Sequence, residues 1–268
     1  MDPLFFIAAC LLIGALAGFL GGLLGIGGGI VIVPALILLL DEMHLMPVSA
    51  VTPVAVATSL ACIIFVSISA ALAQLRAGEV DWIIARRWVV GLIGGGLIAG
   101  QVAVLLPMPV FRACIGAFLV FVSVVMLTQW RPAPHRAPPG LMGSTLLGFM
   151  GGFVSSIAGI GGGNIIVPTL VYLNVRVHQA TATSSVLGLP VALAGSVGYL
   201  VAGYDESIAP GTWGYIFLPA FGPIVLSAIA AAPLGVRAAG RIAPLPLRRV
   251  FGAVLAVVAA RMLWSAMV

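Results

Sequence analysis

The sequence predicts an all-α integral membrane protein made of two inverted-topology repeats. It is expected to hold about 8–10 membrane segments, including broken or re-entrant helices. Three observations lead there. The first is composition: of 268 residues, 62% are hydrophobic and 7% charged, and the mean hydropathy is +1.25. A soluble domain carries about 25% charged residues, so this chain has too little polar surface to face water all round. The apolar runs approach the length of a membrane helix, and the alternating ~10-residue segments of a barrel are not visible. The second observation is an internal near-duplication, and the third is the placement of the charges.

Apolar segments fall at about 4–24, 28–40, 50–75, 84–106 and 112–129, and again at 141–158, 161–173, 180–203, 213–234 and 248–267. The opening segment lacks a positive n-region, so it reads as the first membrane segment and not as a cleaved signal peptide. The proline-rich stretch WRPAPHRAPPG, 130–140, joins the two sets. GFLGG at 18–22 returns as GFMGG at 148–152, and GIGGGIVIVP at 25–34 returns as GIGGGNIIVP at 159–168. Thr58-Ser59 returns as Thr183-Ser184, Gly78 falls opposite Gly203, and Arg112 and Gly116 fall opposite Arg248 and Gly252. The chain is therefore expected to divide into a first membrane repeat, 1–129, a cytoplasmic linker, 130–140, and a second membrane repeat, 141–268.

Counting five segments per repeat puts Arg76, Arg86, Arg87, Arg131, Arg136, Arg176, Arg237, Arg241, Arg248 and Arg249 on one side. Asp2, Asp41, Glu42, Asp205 and Glu206 then share the other, with Arg112 as the main exception. By the positive-inside rule the arginine-rich loops are cytoplasmic and both termini periplasmic. An odd number of crossings per repeat inverts one repeat relative to the other. Leu4 to Leu40 is 37 residues, about 55 Å as one helix, against a hydrocarbon core of ~30 Å. A break is required, and the glycines supply it. Whether each glycine-bearing segment crosses fully or turns back stays open at this level.

A helix that restarts after GIGGG presents uncovered N–H groups and the positive end of its dipole. Glycine lets a ligand approach that backbone, so the phrase has the makings of an anion site without a formal charge. The alternative is packing: Gly14, Gly18 and Gly22, like Gly21, Gly25 and Gly29, form the small-residue ladders that let membrane helices touch. Bulky replacement at Gly28 or Gly162 is accordingly expected to damage function more than replacement at Gly14. Thr58, Ser59, Thr183 and Ser184 offer hydroxyls at matching places, for a ligand or for interhelical bonding. Asn164, standing where the first copy has Ile30, makes the copies chemically unequal. The candidate substrate-binding set is thus Gly27, Gly28, Gly29, Thr58, Ser59, Gly161, Gly162, Gly163, Asn164, Thr183 and Ser184.

Gln74 and Gln101 read as cavity-lining or interhelical groups. His44, His135 and His178 sit in loops without metal spacing, and Cys10, Cys62 and Cys114 read as small packing residues. Arg261 is a charge inside the last apolar segment that either reaches the interface or faces the bundle interior. No catalytic residue, metal or cofactor is expected, and no basic run points to nucleic acid.

The paired GxGGG…P phrases, the Thr-Ser cluster after each, and AQLRAGEVDW at 73–82 resemble the TauE/SafE family of sulfite exporters and related sulfur-anion permeases. The resemblance covers nearly the whole chain. It carries over to Gly25, Gly27, Gly28, Gly29 and Pro34, to Gly159, Gly161, Gly162, Gly163 and Pro168, and to the Thr-Ser pairs. It implies seven or eight helices and export of an anion such as sulfite or an organosulfonate across the cytoplasmic (inner) membrane of a bacterium. The expected partners are a small anionic substrate, the lipid bilayer and a coupling proton or the membrane potential. A secondary transporter is the leading reading, an anion channel or a permease for another small anion the alternative.

Overall fold

The computed structural model describes residues 3–24, 27–128, 139–204, 208–239 and 244–267. Asp2, Gly25, Arg131, His135, Arg136, Asp205, Glu206 and Arg241, all used above, lie outside the described residues. The described chain is helical apart from one small hairpin. The helices are α1 (Pro3–Leu24), α2 (Gly29–Met43), α3 (Val48–Ala77), α4 (Trp82–Leu105), α5 (Met108–Thr128), α6 (Leu141–Ile157), α7 (Gly163–Tyr172), α8 (Val177–Ala202), α9 (Leu218–Ala239) and α10 (Pro244–Met267).

Among the described residues seven helices are long and apolar enough to cross a membrane: α1, α3, α4, α5, α8, α9 and α10. At 15, 17 and 10 residues, α2, α6 and α7 reach only about 22, 25 and 15 Å. Leu105, Met142, Val257, Trp264 and many other large apolar side chains are exposed, as expected where the solvent is lipid.

One predicted segment starts differently. Residues 213–217 are not helical; Thr212–Trp213 and Ile216–Phe217 pair as a two-stranded antiparallel hairpin before α9. Gly211 and Gly214 take positive φ there, so the chain turns sharply where apolarity alone suggested a helix.

Contacts between the two sequence sets are crosswise. α1 lies along α9, with Gly14 against Ile224 and Gly235 against Phe19, so these two helices run parallel. α4 lies along α6 in the same manner, with Gly148 against Trp88 and Gly152 against Leu92. α3 and α8 run antiparallel, Gly195 facing Leu60 and Gly188 facing Ser67. So do α5 and α10, where Gly116 meets Leu263, Gly252 meets Leu127, and the Ser123 hydroxyl donates to the Gly252 carbonyl at 2.8 Å.

The α1–α9 and α4–α6 seams rest on glycine because backbone meets backbone in them, a form of packing that gives membrane helices their van der Waals attraction, whereas Gly195, Gly116 and Gly252 make room for the Leu60, Leu263 and Leu127 side chains. A Cβ on Gly14 would collide with Ser227 Oγ and the Ile224 carbonyl. The expectation that Gly14 tolerates bulk better than Gly28 or Gly162 therefore has no steric basis. Gly14 and Gly18 lie in a seam with α9 too tight for any side chain.

The two charges that stood out in the sequence are also placed. Arg112 Nη2 binds both oxygens of Asp41 at 2.8 Å, and its Nε donates to Thr52 Oγ1 at 3.2 Å. Arg261 reaches Glu42 Oε1 at 3.2 Å on the exposed surface. Each of these arginines is thus paired with one of the adjacent acids at the end of α2.

Candidate functional site

The two glycine phrases meet beside Ile63, near the midpoint of α3. A Cβ built on Gly27 would stand 4.0 Å from Gly161 Cα, and one on Gly29 would stand 2.6 Å from the Gly159 carbonyl oxygen. Cβ atoms on Gly29 and Gly161 would come within 2.6 and 2.9 Å of Ile63 methyls. Gly28 and Gly162 take the equivalent N-cap positions of α2 and α7 with left-handed backbone, φ +66 and +83°. A glycine reaches that region without the strain a Cβ brings. The phrases thus break the chain as expected.

The first phrase closes a hairpin. A Cβ on Gly28 would lie 3.0 Å from the Ala17 carbonyl oxygen of α1. α2 then returns toward the end where Asp41 meets Arg112 at the start of α5, and Arg112 in turn meets Thr52 near the start of α3. The second phrase closes the α6–α7 hairpin: Gly159 N and Ile160 N donate back to the Ser156 and Ser155 carbonyls at 3.3 and 2.9 Å. The helix starts of α2 and α7 therefore stand close together. The first-turn N–H groups, those of Ile30, Gly163 and Asn164 among them, are ones an α-helix leaves without an i−4 partner.

The hydroxyl pairs divide by task. Thr58 Oγ1 accepts from Phe217 N at 2.9 Å, where α9 starts, and Thr183 Oγ1 accepts from Asp81 N at 2.9 Å, where α4 starts. Asp81 in turn caps α4 by accepting from Ile83 N and Ile84 N at 3.0 and 3.1 Å. The two threonines thus hold equivalent helix starts across the sequence halves. Ser59 donates to the Gly159 carbonyl at 2.9 Å and fixes the second phrase to α3. Ser184 is buried and its hydroxyl has no partner. Replacing Thr183 with valine leaves the Asp81 N–H unanswered and is expected to cost about 1–3 kcal/mol. A lowered unfolding midpoint in detergent measures it, and an unchanged midpoint would show that the bond holds nothing.

Asn164 is half-buried, but its Nδ2 is fully enclosed and without a partner. In the first copy Ile30 is packed in the apolar core. The sequence difference thus becomes a difference between a filled position and an open donor. Ser155 Oγ, also buried and unpartnered, lies 3.7 Å from a Cβ built on Gly162. Ser156 Oγ, equally unpartnered, wedges between Gly96 and Gly195.

Residue-by-residue reading passed over these two serines. A signal was present: GFxGG and GIGGG stand four residues further apart in the second copy, and the added stretch holds Ser155-Ser156-Ile157-Ala158. Ser67 joins the same region, 3.8 Å from a Cβ on Gly161. Gln101 is accounted for as an interhelical group, donating to the Gly198 carbonyl at 3.0 Å.

At the Asp41–Arg112 end, an open cleft of about 400 Å³ lies between the starts of α3 and α5, the end of α4 and the hairpin before α9. Pro47, Ala50, Pro53, Leu106, Phe111 and Tyr215 line it. Among the described residues no group of three or more His, Cys, Asp or Glu could hold a metal ion.

The model of the sulfite exporter TauE/SafE family matches residues 10–262. The chain belongs to that family. It is 34% identical over 262 residues to a probable membrane transporter protein of Haemophilus influenzae, covering 96% of this chain and 98% of the relative. Similarity extends to the probable membrane transporter protein YunE of Bacillus subtilis, 30% identical over 75% of this chain and 82% of that one. A probable membrane transporter protein of Methanocaldococcus jannaschii is 25% identical over 94% of both chains. The family is one of multi-pass membrane transporters, not enzymes.

Proposed function

We propose that this chain is a secondary transporter that exports a small sulfur-containing anion, sulfite or an organosulfonate, across the cytoplasmic membrane. The observation that carries this reading is the meeting of two glycine-broken hairpins beside Ile63, deep in the bundle. There two helix N-termini, α2 and α7, bring together the positive dipole ends and first-turn N–H groups that an anion would need. The proposed substrate-binding groups are Gly27, Gly28, Gly29, Gly161, Gly162, Gly163, Asn164 and Ser184. Ser59, Thr58 and Thr183 hold the surrounding helices in place.

The chain is read as two inverted repeats, 1–129 and 141–268, joined by a cytoplasmic linker. The antiparallel run of α3 against α8 and of α5 against α10, and the crosswise pairing of α1 with α9 and α6 with α4, support this reading. In it α1–α2 and α6–α7 are re-entrant hairpins that enter from opposite faces. The remaining helices cross, and rocking one repeat against the other exposes the site alternately. The arginine-bearing ends face the cytoplasm and both termini the periplasm. The cleft at the Asp41–Arg112 end is then a periplasmic mouth.

Purified protein in proteoliposomes is expected to drive labelled sulfite or an organosulfonate to accumulate by exchange against a trapped unlabelled anion. Flux that only follows the gradient, at channel-like rates, would contradict a carrier.

A further inference from the structure

We infer that the second hairpin binds singly charged oxyanions and rejects doubly charged ones, because every donor it offers is neutral. This rests on the transport reading above and specifies the substrate that site takes. Three buried donors without protein partners stand around the start of α7. Asn164 Nδ2 sits in its first turn, and Ser155 Oγ lies beside its N-cap Gly162. Ser184 Oγ is on α8, one turn before Gly188, and Gly188 faces the Gly161 carbonyl. Buried polar atoms are ordinarily bonded. Three unbonded ones around a helix N-terminus mark the place of a ligand with several acceptors.

None of these three donors carries a formal charge. Residues 3–40, 45–75, 141–175 and 179–203, which cover the helices α1, α6 and α7 and most of α2, α3 and α8, contain no Asp, Glu, Lys, Arg or His. The titratable side chains on these elements are Cys10, Cys62, Tyr172 and Tyr199. The charged or titratable residues flanking these ranges are Asp2, Asp41, Glu42, His44, Arg76, Arg176, His178 and Tyr204. α4, packed on α6 and α8, adds the half-buried Asp81 at its cap beside Thr183 and the exposed Arg86 and Arg87.

The cost of taking an ion out of water rises with the square of its charge, so a dianion costs roughly four times a monoanion. The hydrogen bonds and helix end that offset this cost gain only in proportion to the charge. A neutral site therefore favours one negative charge. Sulfite carries one charge below its second ionisation, near neutral pH, and two above it. Exported as the protonated monoanion it takes its own proton along, and no intramembrane carboxylate relay is needed for that step.

The test is binding to the purified full chain of methanesulfonate, sulfate and sulfite, each at pH 6 and pH 8.5. Methanesulfonate is expected to bind equally at both. Sulfate is expected to bind at least about a hundredfold more weakly, and sulfite to weaken by about tenfold per pH unit above its ionisation. Asn164→Leu, Ser155→Ala and Ser184→Ala should each weaken methanesulfonate at least about tenfold, while Thr128→Ala, at the exposed end of α5, should not. Sulfate binding as tight as methanesulfonate, or sulfite affinity independent of pH, would overturn the inference. Exchange flux without charge preference would reject this inference and leave the transporter reading standing. Monoanion binding without flux would do the reverse.

Discussion

Gly162→Val is expected to lower anion flux more than about tenfold per folded protein, and Gly28→Val to do the same. Both glycines are N-caps in the left-handed region, at φ +83 and +66°. That conformation costs an ordinary L-residue roughly 1–2 kcal/mol, and a β-branched one is an outlier there. At Gly28 the new Cβ would also press on the Ala17 carbonyl at 3.0 Å, which is backbone and cannot swing aside. At Gly162 it would meet Ile166 Cδ1 at 2.8 Å. That side chain end can move, so the dominant effect is conformational: the cap rotates and the first-turn N–H groups no longer aim at the junction of the hairpins. Gly222→Ala is the comparison, since nothing lies within 4 Å of its added methyl. Flux in proteoliposomes, normalised to monodisperse protein, separates these outcomes. Wild-type flux in Gly162→Val would show that the phrase serves packing alone.

Asp41→Asn is expected to destabilise the protein by about 3–5 kcal/mol, because it leaves the Arg112 guanidinium without its counter-charge in a place water hardly reaches. The Arg112 side chain is only 9% exposed and that of Asp41 29%. Arg112→Leu should fall at the lower end, about 3 kcal/mol, since the partly exposed carboxylate can turn to water. Asp41→Leu combined with Arg112→Leu should recover much of the loss, as apolar replacement of a buried pair commonly does. Arg261→Ala should change stability by less than about 1 kcal/mol, because that pair, 60% and 70% exposed, is screened by solvent. Unfolding midpoints in one detergent give all four values. Equal losses for the two pairs would contradict this account of burial.

The ten segments were legible because twenty-residue apolar runs and glycine or proline punctuation leave few alternatives in a chain with 7% charge. The start of α9 was not. GTWGYIF is as apolar as a helix, and only the backbone shows that Gly211 and Gly214 turn it into a hairpin. The glycines and Asn164 were found by comparing the copies. Ser155 and Ser156 escaped the same comparison because matching phrases hides residues inserted between them. The thresholds of packing were also invisible: Gly14 and Gly28 look alike in sequence, yet one lies in a seam with α9 and the other caps α2 where the hairpins meet. Arg112 stood out as a breach of the charge pattern because its partner Asp41 lies 71 residues away.

The most direct measurement is the location of a bound organosulfonate carrying a heavy atom, such as 2-bromoethanesulfonate, in an experimental structure of the loaded protein. The account predicts bromine and sulfonate density between the two glycine phrases, with the sulfonate on Asn164, Ser155 and Ser184 at the start of α7. Ligand held only in the cleft lined by Pro47, Phe111 and Tyr215, with the hairpin junction filled by protein, would contradict it.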